Sequence, residues 1–241
     1  MNIEDIQEFD PHKMYQTYDN WSTYSEDAFN KELSKLQLQD IDHIVLAGMG
    51  GSGAIGDVIS AILSREDIHV SNVKGYLLPK TVDERTLVIS TSISGNTKET
   101  LEILDNKSKS DAKFVAISSG GIMKEKCLKN SITHYDIPMI HSPRASFTVF
   151  LYSILNIFED VLPVQKNEVF ESLGKMKELQ KRINSDNLEQ NNPSLDLAKK
   201  INSNPLIYYP DGLKAAAIRF KNSLQENVKI HASIEDVIEA S

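Results

Sequence analysis

The chain has 241 residues, 40% hydrophobic and 25% charged, with 26 Lys and Arg against 34 Asp and Glu for a net charge of −8. Those proportions are ordinary for a folded globular chain and exclude disorder as the main state. The acidic balance argues against a nucleic-acid binder, since phosphate neutralisation needs an excess of Lys and Arg on at least one face. No apolar run reaches the ~18 residues of a membrane span, and residues 1–5 carry neither a basic nor an apolar leader segment. The lone Cys127 can form no internal disulfide. A cytoplasmic enzyme or sensor is the class left.

Residues 1–39 read as an N-terminal helical segment, with a helix over 26–38 whose Phe29, Leu33 and Leu36 fall at helix spacing. From residue 40, short apolar runs alternate with amphipathic ones. Strands are expected at 43–47, 68–76, 86–90, 113–118 and 133–137, with helices at 53–64, 97–109 and 123–130. This alternation implies βαβ units and a parallel sheet, and continuous hydrophobicity within the strands fits a sheet covered on both faces. A long helix over 144–162 follows Pro143. Its Phe147, Phe150, Leu151, Ile154, Leu155 and Phe158 form an apolar surface wide enough for both a core and a subunit contact. A helix over 167–183, a linker over 184–194, a strand over 205–209, the turn Pro210-Asp211-Gly212 and a helix over 213–227 complete the chain. The expected fold is therefore α/β: a five-stranded parallel sheet sandwiched by helices over 40–160, then a partial second unit of the same kind over 161–241.

Two loops could carry chemistry. Gly48-Met49-Gly50-Gly51-Ser52-Gly53 follows the first strand and opens a helix. Glycines let backbone N–H groups approach an anion, the helix N-terminus adds partial positive charge, and Ser52 adds a hydroxyl. The same spacing satisfies a dinucleotide fingerprint, but that needs an acidic residue at the end of the next strand, where this chain has Lys74-Gly75-Tyr76. A phosphate-type anion site fits better than a nicotinamide site or a purely structural turn. Ser92-Ile93-Ser94-Gly95-Asn96-Thr97 follows the third strand and opens the next helix. Its hydroxyls could be a plain helix cap. Both loops together, at the C-terminal ends of neighbouring parallel strands, suit a phosphate monoester.

These two motifs resemble the sugar isomerase (SIS) domain, and Ser142-Pro143-Arg144-Ala145 with Leu224-Gln225-Glu226-Asn227 resembles the bifunctional phosphoglucose/phosphomannose isomerases of that superfamily. The resemblance runs from about residue 40 to the end. It implies a flavodoxin-like SIS fold followed by a second SIS subdomain, and a homodimer with its site between subunits. It also implies reversible conversion of glucose 6-phosphate and mannose 6-phosphate to fructose 6-phosphate through an enediolate, without a cofactor. By the same resemblance Gly50, Gly51, Ser52, Ser92, Ser94 and Thr97 hold the sugar phosphate, Arg144 stabilises the enediolate and Glu226 moves the proton. Ile93 stands where the family usually has Tyr. The family pattern continues into His-Asn-Glu and a later lysine after the point where this sequence stops, so truncation and weak turnover are expected. A non-catalytic SIS module that senses sugar phosphates is the alternative. The six histidines show no metal-ligand spacing, so no metal is expected. Cys127 reads as a small buried helix side chain.

Overall fold

The computed structural model describes residues 2–188, 191–201 and 203–240. Three short helices open the chain: α1 (Ile3–Phe9), α2 (Met14–Asp19) and α3 (Trp21–Asn30). The first starts on a reciprocal cap in which the Asn2 and Asp5 side chains each accept the other's backbone N–H, at 3.0 and 2.7 Å. The helix expected over 26–38 instead ends at Asn30. The Asn156 side chain donates to the carbonyls of Ala28 and Lys31, and the backbone turns extended at Lys31. Leu33, Leu36 and Leu38 then lie in an extended segment and still pack on the core.

Five strands follow: β1 (His43–Ala47), β2 (His69–Val73), β3 (Thr86–Ser92), β4 (Lys113–Ser118) and β5 (Thr133–Asp136). They pair in the order β2-β1-β3-β4-β5, all parallel. Successive residues of the central strands enter different cores. Ile44, Leu46, Leu87, Ile89, Val115 and Ile117 pack on one face, while Val45, Ala47, Val88, Phe114 and Ala116 pack on the other. Apolar cover on both faces is the condition for an all-parallel sheet, and it explains why these strands read as unbroken apolar runs. Among the helices between strands, α4 (Gly50–Ile62) lies on the first face, while α5 (Lys98–Asp105) and α6 (Gly121–Lys129) lie on the second. Cys127 of α6 is fully buried there, and burial pushes its thiol up to about 11.

The long apolar helix is α7 (Phe147–Ile157), shorter than the expected 144–162. All eleven of its residues are buried, between α3, α4 and the following helix α8 (Lys166–Ile183). The surface expected to serve a subunit contact is thus consumed within the chain, because the N-terminal segment, absent from a periodicity argument, covers it. The linker expected over 184–194 is followed by a helix that no expectation covered, α9 (Pro193–Lys200), capped by the Asn192 side chain, which accepts from the N–H groups of Ser194 and Leu195. Strand β6 (Leu206–Tyr209) pairs in parallel with β7 (Ser233–Asp236), too short and polar to stand out in the sequence. Between them, α10 (Lys214–Ser223) runs into a wide π-turn, Leu224–Val228, rather than continuing as one helix over 213–227. Among the described residues, no helix is long and apolar enough to cross a membrane.

Two imidazoles are set into the sheet below their ordinary pKa. Burial and then the neighbouring His69 lower His43, which is 4% exposed, and burial lowers His134. The unfolded chain therefore binds more protons than the folded one once the pH falls below about 6.5. Stability is full above that pH and declines as the pH drops toward the depressed folded values. The double variant H43Q/H134Q is expected to flatten the fall in urea midpoint between about pH 7 and pH 5. An equally steep fall would assign it to other groups.

Candidate functional site

β1 and β3 are neighbours, but the helices that follow them leave to opposite faces of the sheet, α4 to one and α5 to the other. That divergence opens a crevice at the C-terminal ends of the strands, the usual ligand position in such sheets. The glycine loop after β1 and the Ser/Thr loop after β3 form its two sides.

In the first loop, Gly48 and Gly53 pack backbone to backbone. A Cβ on Gly48 would lie 2.7 Å from the Ser52 carbonyl carbon, and one on Gly53 would lie 2.8 Å from the Gly48 oxygen. The glycine spacing that mimics a dinucleotide fingerprint is thus required by the turn itself. Gly50 and Gly51 open α4, whose first amide groups have no intrahelical acceptor. Ser52 is buried, and its hydroxyl accepts the Ile93 N–H at 3.2 Å. This bond ties the first loop to the second and leaves the Ser52 proton free to be donated.

In the second loop the Ser92 and Thr97 hydroxyls lie 2.9 Å apart, and the Ser94 hydroxyl accepts the Asn96 N–H at 3.3 Å. Gly95 has φ +72°, and a Cβ there would run into the Gly120 carbonyl. A third loop, which the sequence reading passed over, braces this one from the end of β4. Ser119 donates through N–H and Oγ to the Ile93 carbonyl at 3.1 and 2.7 Å, and Asn96 Oδ1 accepts the Ile122 N–H. Its signal, Ser118-Ser119-Gly120-Gly121 after an apolar strand, is the same hydroxyl-and-glycine composition as the other two.

Arg144 was expected at a helix start. It sits instead in the turn before α7, because Ser146 folds residues 140–146 into a closed loop: its hydroxyl donates to Ile140 and Ser142 carbonyls and accepts the Ile140 N–H. Pro143 borders the glycine loop, its carbonyl 3.8 Å from where a Gly51 Cβ would stand. α10 packs along α4, with Gly212 and Lys214 near Ser64 and Arg65 at the far end of α4. At the near end Arg219 donates to the Arg144 carbonyl at 2.9 Å. The two helices therefore run antiparallel, and the π-turn beyond α10 is delivered to Arg144. Arg144 Nη1 donates to the Glu226 carbonyl at 3.1 Å and to Asn227 Oδ1 at 2.9 Å, and its Nε lies 3.8 Å from Glu226 Oε2. Both side chains are part-exposed. π-turns of this kind recur at functional positions. So the six loop residues lie in two loops at adjacent strand ends, tied together by the Ser52–Ile93 bond, and the arginine and glutamate meet each other next to the glycine loop. Among the described residues no three His, Cys, Asp or Glu side chains group as metal ligands.

Residues 190–241 match the model of the bacterial phospho-glucose isomerase C-terminal SIS domain. The chain is 32% identical over 200 residues to the bifunctional phosphoglucose/phosphomannose isomerase of Caldicellulosiruptor bescii, covering 80% of this chain and 59% of the relative. By these matches the chain is similar to the SIS-domain isomerases. A second relative, the bifunctional phosphoglucose/phosphomannose isomerase of Aquifex aeolicus, is 33% identical over 189 residues, 77% of this chain and 56% of the relative. The chain spans just under three fifths of the length of these two relatives. In fold it is similar to a putative phosphosugar isomerase from Silicibacter pomeroyi, with a TM-score of 0.69 at 16% identity over 94% of this chain and 72% of that one.

The contact between the Ser/Thr loop and Gly120 can be tested locally. Alanine at Gly95 must adopt a left-handed backbone at ~1–2 kcal/mol and displace the Gly120 carbonyl as well. G95A is expected to lower stability by at least about 1–2 kcal/mol in urea unfolding. A loss within ~0.5 kcal/mol, the range of an ordinary surface change, would show that the loop does not depend on that geometry.

Proposed function

We propose that this chain binds a hexose 6-phosphate in the crevice and that the whole protein interconverts glucose 6-phosphate or mannose 6-phosphate with fructose 6-phosphate in the cytoplasm. The observation that carries this reading is the convergence of Arg144 and Glu226 beside two hydroxyl-lined loops at adjacent strand ends. In this reading Gly50, Gly51, Ser52, Ser92, Ser94 and Thr97 hold the phosphate through hydroxyls and helix N-terminal amides, which suit a dianion. The distant phosphate then fixes the orientation of the reacting carbons. The Glu226 carboxylate removes the proton from C2 of the open-chain aldose. The electron pair moves into the C1–C2 bond, and the carbonyl oxygen takes up the negative charge of the enediolate. The Arg144 guanidinium faces that charge. Protonation at C1 by the same carboxylic acid, with transfer of the hydroxyl proton, gives the ketose and restores the base. A homodimer would complete the site from surfaces other than α7, which is buried within the chain.

Two measurements separate this from a sensor that binds sugar phosphate without chemistry. E226Q is expected to reduce fructose 6-phosphate formation by ~10²–10⁴-fold in a coupled assay, with hexose 6-phosphate still protecting against thermal unfolding. Unchanged turnover would remove Glu226 from the chemistry, and binding without turnover by the unaltered protein would favour the sensor. S94A and T97A are each expected to weaken hexose 6-phosphate binding by about 1–2 kcal/mol by calorimetry. Affinities equal to that of the unaltered protein would place the phosphate elsewhere.

A further inference from the structure

At the N-terminal ends of the strands, away from the crevice, one row of the sheet register carries three polar side chains. His69 of β2, His43 of β1 and Thr86 of β3 stand side by side. Ser71, two residues along β2, shares their face. The two imidazole rings lie 4.5 Å apart between centroids. Both turn Nε2 toward the Ser71 hydroxyl, His43 at 2.9 Å and His69 at 3.2 Å. The network assigns the protons. Thr86 donates its hydroxyl to Asp83 Oδ1 at 2.9 Å, because a carboxylate only accepts. Thr86 Oγ1 is then an acceptor for His43 Nδ1, 3.4 Å away. With its proton on Nδ1, the neutral His43 ring has a bare lone pair on Nε2, and that lone pair takes the Ser71 O–H. Ser71 Oγ in turn accepts from His69 Nε2.

These contacts have the order of a nucleophile, its base and a group that orients the base. β2 is an edge strand, Ser71 on it is part-exposed and His69 is exposed, while His43 is buried. Burial holds the His43 ring below its ordinary pKa, so at pH 7 it is neutral and free to take a proton. Both histidines border a cavity of about 480 Å³ whose walls also carry Asp42, Glu66, Asp67 and Asp83. No lysine or arginine is among its described lining residues, although Arg85 reaches Asp42 at 2.9 Å. The cavity is therefore net negative, which disfavours anionic ligands and admits neutral or cationic ones.

We propose that Ser71 is an activated nucleophile at a second catalytic site, which cleaves small neutral or cationic carboxylic esters with His43 as general base. It stands independently of the isomerase reading. Ser71 Oγ attacks the ester carbonyl carbon as its proton passes to His43 Nε2, and His69 Nε2 donates to the oxygen that becomes negative. When the carbonyl re-forms, the alcohol leaves with the proton from His43 and the acyl group stays on Ser71. Water then repeats the two steps, releasing the acid and restoring the serine. With 4-nitrophenyl acetate as probe, the unaltered protein is expected to release 4-nitrophenolate saturably, and peptide mass spectrometry to locate the acetyl group on Ser71. S71A and H43Q are each expected to lower that release by ~10²-fold or more. S71C keeps a nucleophile at the same point and is expected to be acetylated there, which also reports that the site is still formed. Mono-(4-nitrophenyl) succinate, an anionic ester, is expected to react at least about tenfold more slowly than the acetate. Glucose 6-phosphate in excess is expected to leave the rate unchanged. Acetyl groups on lysines alone, release undiminished in S71A or H43Q, an unmodified thiol in S71C, equal rates for the two esters, or inhibition by the sugar phosphate would each overturn the proposal.

Discussion

An all-parallel sheet is stable only when both of its faces are covered, and this chain meets that requirement by changing sides between two adjacent strands. α4 leaves β1 toward one face and α5 leaves β3 toward the other. The crevice at their bases is a geometric by-product of that change, not a separate construction. The Ser52–Ile93 bond holds its two sides together, and the tight Gly48–Gly53 contact lets α4 start close enough to the strand to make that bond. Burial of the sheet and the position of the anion site are thus one constraint seen at two scales.

The second constraint is the grip between Arg144 and the end of α10. Arg144 is held at both ends: its carbonyl accepts from Arg219, and its guanidinium donates into the π-turn. Lys229, at φ +62°, closes the same turn by donating to the Glu226 carbonyl at 2.6 Å. The Glu226 carbonyl therefore receives two cationic donors, which fixes the backbone of the turn while its carboxylate stays part-exposed. Such an arrangement suits a group that must be placed firmly and yet reach a ligand.

Much of this was legible in the sequence because the signals were local. Unbroken apolar runs marked β1, β3 and β4, and the glycine and hydroxyl loops that follow β1 and β3 announced themselves by composition. The misreadings came from contacts that no window contains. Asn156 stops α3 from 126 residues downstream of Asn30, and the Leu33 and Leu36 pattern that reads as helix is equally served by an extended strip on the core. The Ser146 loop withholds three residues from α7. α9 was a different case: Asn192-Pro193 is a cap followed by a first-turn proline, and that signal was present but outweighed by the polar composition around it. The pairing of Arg144 with Glu226 lay beyond any local reading, since it depends on α10 running antiparallel to α4.

The packing of α3 on α7 also sets an order of events. Trp21 donates its indole N–H to the Ala145 carbonyl across 124 residues, and the carbonyls of Ala28 and Lys31 wait for Asn156. At ~5–20 residues per second of synthesis, the first helices emerge roughly 6–25 s before the helix that covers them exists. The beginning of the chain is therefore made first and settles last. During that interval Trp21 and Phe29 are apolar surface without a partner, so whatever shields nascent chains has its longest task here, at the N-terminus.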